Sequence, residues 1–246
     1  MTRPVCLITG ASAGIGAACA RLAAARGYDL ALAYNSDAAG AQATAQDAQD
    51  AGARVQIIKA DVADPAQIDA MFAEIDATFG RLDALVNNAG IVAQAARVTQ
   101  LTPARLRQMF DVNVIGAILV AQGAVRRMEP AGQGVIINIS SAAARMGSAN
   151  EYVDYAASKG AIDTFTKGLS DEVAPSGIRV MGVAPGVIET DIHAKGGAPG
   201  RAARVGTTTP IGRAGTAEEI ANAVVWLMSD AASYATGSTL AISGGR

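Results

Sequence analysis

Histidine occurs once in this 246-residue chain and cysteine twice. Cys6, in the first apolar run, and Cys19, in the first helical pattern, have no Cys or His neighbours at metal-ligand spacing. A zinc site is thereby excluded, and both read as buried thiols. His193 has no partners at the spacing a metal site or a triad needs, which leaves a solvated loop residue or a substrate contact. No G-x-S-x-G elbow follows a strand pattern, which excludes a Ser-His-Asp hydrolase built on one. An excess of charge of one sign is also missing. The 20 Lys and Arg against 22 Asp and Glu leave a formal charge of −2, with no basic block to neutralise a row of phosphates, so nucleic acid is not an expected partner. Charged or polar residues interrupt every apolar run before it reaches the roughly 20 residues that span a bilayer. The apolar stretch that starts at Val5 is short and meets a glycine turn, too brief for a signal-peptide core. The expectation is a cytoplasmic protein with no membrane partner.

What is present is an alternation. Short β-branched runs, Val5–Thr9, Leu30–Tyr34, Val55–Lys59, Ala84–Asn87, Val135–Ser140, Arg179–Ala184 and Ser238–Ile242, read as strands. Between them, helical spacing covers Gly16–Arg26, Ala38–Ala51, Ala66–Phe79, Pro103–Met128, Tyr152–Ala174 and Ala217–Met228. Asp64-Pro65 and Thr102-Pro103 each place a capping side chain before a first-turn proline. Strands apolar on both faces and linked by helices imply an α/β fold: one doubly wound parallel sheet of about seven strands. No linker or composition break divides the chain, so a single domain over 1–246 is expected. The one long irregular stretch, Pro185–Arg213, rich in Gly, Pro and Thr, suits a substrate lid.

The first strand runs into Thr9-Gly10-Ala11-Ser12-Ala13-Gly14-Ile15-Gly16 and then directly into a helix. Glycines at 10, 14 and 16 permit a tight turn, close approach of backbone to a pyrophosphate, and packing of helix on strand. The free N–H groups at the helix start offer an anion site. Tyr155 and Lys159 stand four apart in a helical pattern, so both project from one helix face. A phenol near its reference pKa of about 10 is a poor acid–base group at neutral pH, and a nearby ammonium is expected to lower it.

Thr9–Gly16, Asn87-Asn88-Ala89-Gly90, Asn113, Ser140-Ser141, Tyr155-Ala156-Ala157-Ser158-Lys159 and Pro185-Gly186, in that order and spacing, resemble the short-chain dehydrogenase/reductase family across essentially the whole chain. The resemblance implies a Rossmann-type fold and a nicotinamide-dependent oxidoreductase that interconverts an alcohol and a ketone or aldehyde. It implies Tyr155 as general acid/base and Lys159 as a second contact to the nicotinamide ribose. Ser141 is implied to hold the substrate oxygen, and Asn113 to hold a bent helix and a proton relay. Ser141 precedes Tyr155 by 14 residues where the family commonly has 13, but Gly147 follows it at the family spacing. Ser141 is therefore preferred to Ser140, with the extra residue placed in Ser148–Asp154. Tyr152 has no lysine four residues on and is set aside.

Cofactor contacts are implied at Gly10, Ser12, Ala13, Gly14, Ile15, Gly16, Asp61, Val62, Asn88, Ala89, Gly90, Pro185, Gly186, Ile188 and Thr190, with no metal. An acid at the end of the second strand would read a ribose 2′-OH and repel a 2′-phosphate. Here Tyr34, Asn35 and Ser36 occupy that place, and the nearest carboxylate is Asp37. This favours NADP(H), with NAD(H) the alternative, because Ala13 stands where many NADP-preferring relatives carry a basic residue. Asp61 is equally readable as a turn or capping residue. Within the family the pattern is similar to sugar dehydrogenases of the glucose 1-dehydrogenase type and to 3-oxoacyl-carrier-protein reductases. The latter calls for a basic patch, for which Arg126-Arg127 and Arg201–Arg204 are candidates. A non-catalytic NADP-sensing protein is the rival from another class, disfavoured because Tyr155 and Lys159 are both retained. Alanine-rich outer faces around Ala117–Ala124 and Ala156–Phe165, with the apolar C-terminal strand, suit self-association, and the resemblance implies a homotetramer.

Overall fold

The computed structural model describes residues 3–190 and 197–246. Its strands are β1 (Val5–Thr9), β2 (Asp29–Tyr34), β3 (Val55–Lys59), β4 (Ala84–Asn87), β5 (Gly134–Ile139), β6 (Ile178–Pro185) and β7 (Thr239–Ile242). They form one parallel sheet in the order β3-β2-β1-β4-β5-β6-β7. The order reverses between β1 and β4, and the crevice outside the carboxyl ends of those strands is where a doubly wound sheet takes a ligand.

The helices are α1 (Gly14–Ala25), α2 (Ala38–Asp50), α3 (Pro65–Phe79), α4 (Pro103–Phe110), α5 (Ala117–Met128), α6 (Ala143–Met146), α7 (Val153–Val173), α8 (Arg201–Gly206) and α9 (Ala217–Met228). The two-residue period of β1 splits its side chains between two cores. Cys6 and Ile8 pack with α1, α2 and α9, whereas Val5 and Leu7 pack with α3 and α5. Both cysteines are fully buried and unpaired, and burial pushes both thiols up, Cys19 to about 12. The expected caps form: Asp64 accepts from the Ala66 N–H at 2.9 Å and Thr102 from the Arg105 N–H at 3.2 Å.

Three expectations need correction. The long helix 103–128 is interrupted, because Asp111–Gly116 adopts a π-helical turn between α4 and α5. Gly116 comes against the Val62 carbonyl, where any Cβ would collide, and Asn113 bonds across to the backbone of Ile91. That same helical run, Pro103–Ala131, is long and apolar enough to cross a membrane by length and composition. In the fold it lies on the sheet instead, with Val120, Ala121, Ala124 and Met128 in the core. Finally, 185–213 is not wholly irregular. Ile188 pairs with Gly215 as a parallel bridge, and α8 forms within it, too short to show a period in sequence. His193 and the rest of 191–196 lie outside the described residues.

Candidate active site

β1 ends at Thr9, whose hydroxyl accepts from the backbone N–H groups of Asn88 and Ala89, both at 3.0 Å. The Asn88 side chain returns the tie, donating to the carbonyls of Thr9 at 2.9 Å and Gly10 at 3.1 Å. These bonds clamp the first turn to the turn after β4 and fix the floor of the crevice. Thr9 and Asn88 are therefore structural members of the site; the sequence signal for Thr9 was its place at the end of an apolar strand beside Gly10.

An open groove of about 750 Å³ follows the crevice. Gly10, Ser12, Ala13, Gly14 and Ile15 line one side, Asn88, Ala89 and Gly90 the other, and Thr190 closes one end. Tyr34, Asn35, Ser36 and Asp37 form the far wall with Asp61 and Val62. Gly10 has φ +65°, and a Cβ there would lie 3.0 Å from Asn88 Nδ2, so the groove wall at this turn is bare backbone. Gly16 is not on the wall. A Cβ at Gly16 would strike the Gly10 carbonyl and lie 2.7 Å from Asn88 Nδ2, so this glycine serves the packing of α1 on β1. Ala13 begins α1 without any side-chain cap, and the first turn has no acid, which leaves its N–H groups to the groove. Both the bare floor and the uncapped helix start fit a dinucleotide.

Two carboxylates on the far wall are already engaged. Asp37 caps α2, accepting from the Gly40 N–H at 2.9 Å. Asp61 accepts from the Ala63 N–H at 2.9 Å, so its turn role is realised while it also borders the groove, and the cap of α3 is Asp64.

Ile15, Asn88, Gly90 and Thr190 border both the groove and a second, smaller cavity of about 140 Å³. This cavity holds Ser141, Tyr155 and Lys159 together, under Pro185, Gly186 and Ile188. Ser140 also borders the cavity, but it is buried and its hydroxyl is spent on the Lys159 carbonyl, to which it donates at 3.3 Å. Ser141, just past β5, is hydrogen-bonded to the Tyr155 side chain. Lys159 Nζ donates to the Ile139 carbonyl at 2.8 Å and lies 5.8 Å from the centre of the Tyr155 ring. Burial pulls Lys159 down to about 8, with Asp163 resisting. Tyr155 departs from expectation. Burial holds its phenol above the ordinary value, and the Ser141 hydrogen bond offsets only part of that rise. Desolvation outweighs the effect a neighbouring ammonium was expected to have.

Asn113 is 1% exposed, not on a solvated face. Its Oδ1 accepts from the Ile91 N–H at 2.8 Å, while Nδ2 donates to the Ile91 carbonyl at 2.9 Å and to Ser158 Oγ at 3.1 Å. A Cβ at Gly90 would lie 3.2 Å from Asn113 Oδ1 and 3.5 Å from Lys159 Nζ, so Gly90 separates these two groups with no side chain between them.

The segment 148–152, where the extra residue was expected, carries two residues with positive φ, Ser148 at 49° and Asn150 at 62°, and Ser148 and Tyr152 line the cavity. Arg201 completes that wall and was not legible as such in sequence, where it belonged to a surface patch. Arg127 likewise leaves the surface patch, paired with Asp76 at 2.5 Å and stacked 4.4 Å from the Phe72 ring centre.

A family model described as Enoyl-(Acyl carrier protein) reductase matches residues 10–246. The chain is 48% identical to an uncharacterised oxidoreductase of Escherichia coli (strain K12), covering 98% of this chain and 99% of that one. It is 40% identical to cis-4-hydroxycyclohexanecarboxylate dehydrogenase of Sinomonas cyclohexanicum, over 98% of this chain and 95% of the relative. A short chain dehydrogenase from Burkholderia cenocepacia in complex with NADP superposes with a TM-score of 0.90 at 34% identity, covering 99% and 97% of the two chains. The 3-ketoacyl-(acyl-carrier-protein) reductase from Brucella melitensis complexed with NADH gives 0.91 at 31% identity, covering 99% and 98%. Fold, motif order and these likenesses converge: the chain belongs to the short-chain dehydrogenase/reductase family, oxidoreductases acting on alcohol and carbonyl groups with a nicotinamide cofactor.

Proposed function

We propose that this protein interconverts an alcohol and a ketone or aldehyde, with Tyr155 as the general acid/base. The observation that carries the proposal is the meeting of Ser141, Tyr155 and Lys159 in a cavity that shares four wall residues with the glycine-lined groove. The nicotinamide cofactor, when bound, supplies or accepts the hydride. In the reducing direction the Tyr155 phenol, held protonated by burial, gives its proton to the carbonyl oxygen as the carbon takes the hydride. Ser141 hydrogen-bonds that oxygen and stabilises the charge it gains. Lys159, anchored on the Ile139 carbonyl, keeps a cationic group beside the phenol, and Asn113 ties α7 to the segment after β4. A protonated phenol suits carbonyl reduction better than alcohol oxidation at neutral pH.

Gly10, Ser12, Ala13, Gly14 and Ile15 hold the pyrophosphate side of the cofactor. Asp61, Val62, Asn88, Ala89 and Gly90 hold its adenosine and ribose parts, and Pro185, Gly186, Ile188 and Thr190 its nicotinamide. The engagement of Asp37 with Gly40 leaves Tyr34, Asn35 and Ser36 to face the ribose, which favours NADP(H) over NAD(H). Fluorescence titration with NADPH and NADH, followed by turnover against ketones, aldehydes and their alcohols, tests both parts. Tighter NADPH binding with carbonyl reduction is expected. Tighter NADH binding overturns the cofactor preference, and absence of turnover with either cofactor overturns the activity.

The proposal includes self-association as a homotetramer. On α5 the outward apolar surface is narrower than the sequence suggested, since Ala117, Val120, Ala121 and Ala124 are buried and Leu119 packs against the core. Light scattering on the purified protein reads the state directly, and a monomeric mass contradicts it.

A further inference from the structure

We infer that Arg201 is the carboxylate-binding residue of the substrate cavity, so that the substrate is a small oxo or hydroxy acid whose acid group lies in the cavity that Arg201 shares with Tyr155. The inference rests on the oxidoreductase reading for the reacting end of the substrate, and on separate observations for the acid end.

The side chain of Arg201 is only 13% exposed and shares the cavity with Ser141 and Tyr155. Its guanidinium lies 5.2 Å from the centre of the Tyr152 ring, which supports it from one side. Nη2 pairs with Glu151 Oε2 at 2.5 Å. Nε and Nη1 are buried and have no hydrogen-bond partner; among the described residues they are the buried side-chain polar atoms left in that condition. A buried cationic donor without an acceptor is costly, and such a cost persists in a fold where a ligand relieves it.

The chemistry of the missing acceptor follows from the donor. A guanidinium presents its N–H groups as a rigid planar fork, and the planar anion that matches it is a carboxylate. Glu151 is 40% exposed, so much of its charge is spent on water and it does not fully neutralise the buried cation. Ser148, which lines the same cavity, adds a hydroxyl. The reacting oxygen belongs at Ser141 and Tyr155, so one molecule must carry both the acid that Arg201 takes and the reacting carbon. A cavity of about 140 Å³ sets that molecule's size as small.

The test separates the acid site from the chemistry. Cyclohexanecarboxylate and hexanoate, which have no ketone or aldehyde group to take a hydride, are titrated into wild-type protein loaded with NADPH or NADH, each beside its methyl ester. Charge-assisted hydrogen bonds predict that the acids bind about 10- to 100-fold more tightly than the esters. Arg201→Met removes that difference, and Arg201→Lys restores part of it. Glu151→Gln frees Nη2 and tightens acid binding, a gain that a misfolded variant does not mimic. Equal binding of acid and ester, no binding of either, or an acid preference that survives in Arg201→Met overturns the inference. Failure of the oxidoreductase reading shows elsewhere, as absent turnover of 4-oxopentanoate and other oxo acids by a protein that still prefers the acids.

Discussion

The groove along β1 and β4 and the cavity beside Tyr155 adjoin, yet they are made of different material. Along its first turn and the turn after β4, the groove is backbone and small residues: Gly10, Ala13, Gly14, Ala89 and Gly90, held in place by the hydrogen bonds between Thr9 and the Asn88 segment. The cavity is lined by larger side chains, among them Ser141, Tyr152, Tyr155, Lys159 and Arg201. A wall of backbone recognises what dinucleotides share. A wall of side chains selects among substrates and sets proton affinities, so the two regions answer differently to substitution.

Tyr155→Phe gives the largest separation between them. Loss of the proton donor is expected to lower turnover by about 10³-fold, within the range for general acid catalysis, while NADPH and NADH affinities stay within experimental error. A parallel fall in cofactor affinity would merge the two regions. Gly16→Val is the converse, because its side chain would meet the Gly10 carbonyl and Asn88 at the turn that shapes the groove. Cofactor affinity, read by fluorescence, is expected to fall by about 100-fold, roughly 2.7 kcal/mol, together with thermal stability; retention of both contradicts the packing role given to Gly16.

Lys159 sharpens the comparison through pH. Its folded value of about 8 lies below the ordinary 10.5 because it is buried, so between these values the unfolded chain holds the proton more fully than the folded one. Stability contributed at this site therefore rises as pH increases from about 8 to 10.5. Thermal denaturation of wild type against Lys159→Met across that window is expected to show wild type gaining on the variant as pH rises. A flat difference places Lys159 in a solvated setting instead. The smallest effect is expected far from both regions. Gly168 lies on α7, where a Cβ meets nothing within 4 Å, and Gly168→Ala is expected to raise stability by about 0.5–1 kcal/mol through helix propensity. Chemical denaturation measures it.

The same contrast in material explains what was legible in the sequence. All seven strands and the caps at Asp64 and Thr102 were readable because apolar alternation and capping chemistry are local. The groove was readable because glycine is the residue that meets a positive φ or a close approach at least cost, as at Gly10 and Gly14. The π-helical turn at Asp111–Gly116 did not show in the helical spacing, and only the resemblance implied a bend at Asn113, since the turn arises from contacts of Asn113 with Ile91 and of Gly116 with Val62, distant in sequence. The direction of the Tyr155 shift was hidden as well, because burial is a property of the assembled fold. Arg201 read as surface charge for the same reason, with nothing in its neighbours to show that α8 turns it inward.

The central claim is that Tyr155 and its neighbours couple a proton to hydride transfer between the groove and the cavity. Its most direct test is single-turnover transfer of deuterium from C4-labelled NADPH or NADH to oxo acids and neutral ketones, with the product alcohol read by mass spectrometry. The account predicts one deuterium in the alcohol from the wild-type protein and none detectable on the same timescale from Tyr155→Phe. Transfer at equal rates by both proteins, or no transfer by the wild type to any carbonyl, would contradict it.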